Sequence, residues 1–60
     1  METIICTVRG PGGAFDVRQA RFPAGQGYQW SVHEVGTGRQ VFLTRLGRDL
    51  AEKHARYQAA

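Results

Sequence analysis

The sequence predicts a small α+β domain: an antiparallel sheet of three to four strands with one C-terminal helix packed on one face, in the order β-β-β-β-α. Three observations carry that expectation. Glycine-rich breaks at Gly10-Pro11-Gly12-Gly13, Pro23-Ala24-Gly25-Gln26-Gly27 and Gly36-Thr37-Gly38 divide most of the chain. The runs between them are rich in β-branched and aromatic residues and alternate in polarity, as strands between turns do. From about Gly47 the apolar period changes from two to nearly four, the spacing of an amphipathic helix.

The first strand, residues 3–9, alternates, with Ile4, Cys6 and Val8 on one side and Thr3, Ile5, Thr7 and Arg9 on the other. The second, residues 15–22, is less regular. Phe15 and Val17 share a face while Ala20 and Phe22 fall on the other, which predicts a bulge between Val17 and Ala20 or a short strand followed by loop. The third, residues 28–35, sets Tyr28, Trp30 and Val32 on one face. Val41 and Leu43 continue that face in the fourth strand, residues 39–45.

In the helix, residues 47–59, Leu46, Leu50, His54 and Tyr57 form one stripe, flanked by Ala51 and Gln58. Asp49, Glu52, Lys53 and Arg56 line the other side, with Asp49–Lys53 and Glu52–Arg56 as acid-first i, i+4 pairs. Gly47 or Thr44 caps the start. Short connections make the sheet antiparallel. The pattern leaves open whether the first two strands pair with each other or with the central hairpin.

One helix covers one sheet face, so the apolar face is the core: Ile4, Cys6, Val8, Phe15, Val17, Tyr28, Trp30, Val32, Val41 and Leu43 against Leu46, Leu50 and Tyr57. The opposite face is expected to carry Thr3, Thr7, Arg18, Gln29, Ser31, His33, Gln40 and Thr44, most of them neutral hydrogen-bonding side chains. Ile5, Val35 and Phe42 are its apolar exceptions, placed near His33. Solvent-facing sheet surfaces normally carry Lys, Glu and Thr, so a neutral, part-apolar patch there points to protein contact.

Sixty residues make one domain, spanning 1–60. Such a chain buries only about 60% of its unfolded surface, which leaves a thin stability margin and room for about two layers of structure. Large catalytic pockets need more, so size favours a binding module over an enzyme. A hydrophobic share of 42% with 22% charged residues is too apolar for a disordered chain. No apolar run reaches membrane-crossing length, and Met1-Glu2 lacks the basic region of a signal peptide. Cys6 is the only cysteine, so no internal disulfide or multi-cysteine zinc site is available. A soluble, cytoplasmic protein with no membrane partner is expected.

Enzymatic constellations fail one by one, and no catalytic, cofactor-binding or metal-ligating residue is expected. Alternation puts Cys6 inward and His33 outward, which separates the one thiol–imidazole pair. His54 lies on the apolar helix stripe, the place of a core or edge histidine. Cys6, His33, Glu34 and His54 match no tetrahedral metal spacing. The Gly10–Gly13 loop precedes a strand rather than the helix N-terminus a phosphate loop requires. Asp16, Glu34, Asp49 and Glu52 form no evident carboxylate pair.

Two function classes remain. The net charge is +3, and seven of the eight basic residues are arginines, which fork carboxylates and phosphates in two-point contacts. The first reading is an inhibitor or adaptor that covers a partner protein, free or within a nucleoprotein complex, or a second copy as a homodimer. Its contact set is Ile5, Val35 and Phe42 at the centre, with His33, Arg18, Arg39 and Arg45 around them. In size and composition this format resembles the accessory proteins of phages and mobile elements, anti-CRISPR inhibitors among them.

The alternative is nucleic-acid binding. Trp30, Gly38, Arg39, Val41, Leu43, Ala51, Ala55, Tyr57 and Ala59 follow the order of a tryptophan strand, a Gly-Arg turn, an apolar strand and an alanine-rich helix. On these residues the segment from Trp30 to Ala60 resembles the three-stranded-sheet-plus-helix DNA-binding domains of the AP2 and integrase N-terminal kind. That resemblance implies groove reading by the sheet face opposite the helix, where this chain has Gln29, Ser31, His33, Gln40 and Thr44 in place of a basic surface. Arg18, Arg21, Arg39, Arg45 and Arg48 are the expected phosphate contacts.

Overall fold

Strands β1 (Glu2–Gly10), β2 (Gly13–Arg21), β3 (Tyr28–Glu34) and β4 (Gln40–Thr44) hydrogen-bond in the order β1-β2-β3-β4, every pair antiparallel, and helix α1 (Arg48–Ala59) follows. The computed structural model describes residues 2–60. The β-β-β-β-α order is the one the sequence predicts, and the first two strands pair both with each other and, through β2, with the central hairpin. A single 3-10 turn, Pro23–Gly25, links β2 to β3.

Cross-strand partners share a sheet face, so the register assigns both faces. Cys6, Val17, Val32 and Phe42 form one row across all four strands on the side of α1, and Val8 and Phe15 flank it. Phe15, Val17 and Val32 are buried there with Ala51, Ala55 and Ala59 of the helix. On the other side run Thr7, Asp16, His33 and Gln40, then Ile4, Arg18, Ser31 and Leu43.

Two bulges correct the expected strand phases. The register slips between Ile4 and Cys6 in β1, and again opposite Val32 and His33, where β4 inserts Val41. A bulge residue shares its neighbour's side, so Ile5 packs with Cys6, and Val41 with Phe42, against the core. Ile4 and Leu43, expected in the core, are exposed on the far face. Thr44, expected on the far face, lies on the helix side opposite Trp30. The bulge expected in β2 is absent: β2 pairs with β3 without a slip from Phe15 to Arg21.

The helix is also rotated from its expected seat. Ala51, Ala55 and Ala59 face the sheet at 0–2% exposure, whereas Leu46, Leu50 and Tyr57 are 86%, 39% and 76% exposed. The turn between β1 and β2 dictates this rotation. Gly12 N–H donates to Ala59 O at 2.8 Å and satisfies a carbonyl of the last helical turn. A Cβ at Gly12 would stand 2.6 Å from Gln58 O, and one at Gly10 would collide with the backbone of Ala59. Backbone meets backbone here, so only small residues fit, and Ala55 and Ala51 follow Ala59 onto the same face by helical spacing.

Gly47 is the N-cap residue, without a side-chain cap, while Thr44 Oγ1 accepts from Leu46 N–H at 3.0 Å. The ion pair on α1 is base-first, Arg48 Nε donating to Glu52 Oε2 at 2.6 Å; neither expected acid-first pair forms. Tyr28 is largely exposed, and Trp30 is half-buried against the core edge.

Candidate functional site

The displaced apolar stripe makes a groove between β4 and α1. Phe42 forms its sheet side, and Leu50, Lys53, His54 and Tyr57 its helix side, around about 250 Å³. The Phe42 and His54 rings stack with centroids 4.1 Å apart and planes at 12°. Gln58 Nε2 donates to His54 Nε2 at 3.1 Å, which leaves the imidazole proton on Nδ1. The His54 ring is thus held flat against Phe42 as a wall of the groove.

Beside this groove, β4 is a terminal strand of the sheet, so among the described residues its outer backbone edge has no strand partner. Its five residues, Gln-Val-Phe-Leu-Thr, contain no charge and no proline, the usual protections of a free edge. Arg39 and Arg45 bracket it, and Lys53 lines the groove. Among the described residues none of these three has a carboxylate partner within 4.0 Å.

A second, larger cleft of about 620 Å³ lies on the helix side of the sheet, where α1 does not reach. Thr3, Gln19, Arg21, Phe22 and Tyr28 line it, with the turn at Pro23. The Arg45 guanidinium sits 4.3 Å from the Phe22 ring centre and donates to Gln26 O at 3.1 Å. Tyr28 and Trp30 pair at 6.1 Å with planes tilted by 41°.

The face away from the helix is a polar network. Thr7 Oγ1 donates to Asp16 Oδ1 at 2.7 Å, and Arg18 bridges Asp16 at 3.7 Å and Glu2 at 3.5 Å. Ser31 Oγ donates to His33 Nε2 at 3.1 Å, and His33 Nδ1–H donates to Gly38 O at 3.2 Å. The serine–histidine order is that of a nucleophile and its base. Ser31 is nevertheless 4% exposed and lines neither cleft. The pair fastens the β3–β4 turn to the sheet. Cys6 lies on the helix side, away from His33, and burial, reinforced by nearby Glu52, pushes its thiol pKa up, so it stays protonated.

The patch expected from the sequence is therefore not assembled. Phe42 faces the helix, Ile5 packs toward the core, Val35 stands in the turn after β3, and His33 is buried on the opposite face. The five arginines expected at phosphates are dispersed as well. Arg18 is paired on the helix-free face, Arg48 is paired on α1, and Arg39 follows the β3–β4 turn. Arg21 lines the larger cleft together with Phe22, and Arg45 lies over the Phe22 ring. Leu46, Leu50 and Tyr57, expected in the core, are surface residues; the alanine stripe beside them, Ala51-Ala55-Ala59, is the signal that could have revealed them.

Compared with known proteins, the chain matches no family model, no curated protein and no solved structure, so a reading of its function rests on this geometry.

Proposed function

We propose that the protein is a small, non-enzymatic, cytoplasmic protein-binding module that acts as an inhibitor or adaptor by covering a partner's surface with its β4–α1 groove. The observation that carries the reading is the outward pair Leu50 and Tyr57 beside Phe42, with Leu46 exposed just before the helix, next to an open strand edge. Contiguous exposed apolar side chains rimmed by polar ones mark interaction surfaces. A strand edge next to a groove accepts an extended segment whose backbone bonds to the edge while alternate side chains enter the groove.

Charge favours an acidic partner over a second copy. An antiparallel β4–β4 pairing centred on Phe42 would set Arg39 of each protomer against Arg45 of the other, and like charges placed opposite destabilise a ladder. Acidic side chains on a partner would meet Arg39, Arg45 and Lys53 instead.

The test is capture from the native host by the wild-type protein and by the Leu50→Asp/Tyr57→Asp double variant, with circular dichroism to confirm that both are folded. The wild type retains a protein that the variant loses. Equal capture by both, or capture of nothing, contradicts the reading, and a dimer in sedimentation that the variant dissolves would reassign the groove to self-association.

A further inference from the structure

We propose that the open cleft at the far end of the helix-side sheet face binds single-stranded nucleic acid, separately from the β4–α1 groove. Two kinds of side chain converge there. Tyr28 is 45% exposed and Phe22 half-buried, giving aromatic faces; Arg21 is an exposed cation in the lining, and Arg45, exposed and seated over the Phe22 ring, stands beside it. Among the described residues no carboxylate lines the cleft, and the acidic residue at that end of β1, Glu2, faces the other side of the sheet and is paired with Arg18.

Stacking platforms next to arginines are the general means of holding unpaired bases, because every base has a π-face and every linker a phosphate. Arg45 is already oriented by Phe22 and by Gln26 O, so little of its freedom is lost when it meets a phosphate. Thr3 and Gln19, on the cleft floor, offer hydrogen-bonding groups to base edges.

The shape selects single strands over duplex. Reading a duplex requires an element that protrudes into a groove, a helix or a two-stranded ribbon. This site is a recess, walled on one side by the Pro23–Gly25 turn. A splayed base enters a recess; a duplex does not. An acidic peptide would satisfy the arginines but leave the aromatic faces without planar partners, so nucleic acid uses more of the site.

The test is fluorescence anisotropy with labelled oligothymidylate and oligouridylate, and with labelled polyglutamate as the acidic-peptide arm, at low and moderate salt. Binding of either oligonucleotide at micromolar concentration is expected, with log affinity falling against log salt at a slope of about −1 to −2. Tyr28→Ala weakens it by about ten- to a hundred-fold, Tyr28→Phe restores it, and Arg21→Ala reduces the salt slope. Leu50→Asp leaves it unchanged, which separates this site from the proposed protein groove. No binding at low salt, affinity indifferent to Tyr28→Ala in a folded variant, or equal affinity for polyglutamate would each overturn the proposal.

Discussion

Two neighbouring stripes of one helix behave in opposite ways. Ala51, Ala55 and Ala59, which have little apolar area to bury, are sealed against Val17, Val32 and Phe15. Leu50 and Tyr57, with Leu46 just before the helix, carry far more and face outward. Apolar transfer alone, at about 25 cal/mol per Å², would rotate the helix the other way. Contact distance decides instead. The last turn must approach the Gly10–Gly12 backbone closely enough for Gly12 N–H to reach Ala59 O, and a large side chain on that face would hold it off. The difference teaches that a small domain can fill its core with its shortest side chains and keep its largest ones for contact.

The comparison can be broken most severely from the buried side. Ala55→Leu forces three additional heavy atoms into a fully closed position and is expected to cost about 3 kcal/mol. A domain of this size holds roughly 3–9 kcal/mol in total at the usual range per residue. Urea denaturation will show the midpoint fall steeply or the native state vanish.

Phe42→Ala removes the half-buried ring that joins the two regions, stacked on His54 and aligned with Val32. It is expected to cost about 2 kcal/mol, measured by the same melt, and to lose partner binding as well. A loss of binding with unchanged stability would mean that Phe42 faces away from the helix.

On the far face, His33→Ala frees Ser31 Oγ and Gly38 O from their ring contacts and is expected to cost about 1.5 kcal/mol. Hydrogen exchange will show the loss concentrated at Gly38 N–H and Glu34 N–H, the turn amides bonded to Glu34 O and Arg39 O. The exposed stripe yields the smallest stability effect. Leu50→Asp or Tyr57→Asp should shift stability by no more than about 0.5 kcal/mol while removing the proposed partner contact.

Much of the fold was legible. The glycine breaks located the turns, no strand or helix end lies more than two residues from its expected place, and the phase of β3 was correct throughout. What failed did so where strict alternation fails. A bulge at Ile5 reverses the first part of β1, and one at Val41 reverses the rest of β4, and neither position carries a glycine or proline to announce it. The site was less legible because large apolar residues were assigned to the core by size. The expected stripe has Ala51 only at its flank, whereas Ala51, Ala55 and Ala59 at a spacing of four, with a glycine-rich turn elsewhere in the chain, describe a close helix–turn contact.

The seat of the helix is tested most directly by nuclear Overhauser contacts between methyl groups in the free protein. Ala51 and Ala55 methyls should cross-relax with those of Val17 and Val32, with Leu50 and Leu46 methyls silent toward both valines. Strong contacts from Leu50 to Val17 or Val32, with Ala55 silent, would put the leucine stripe inside and remove the groove on which the protein-binding reading stands.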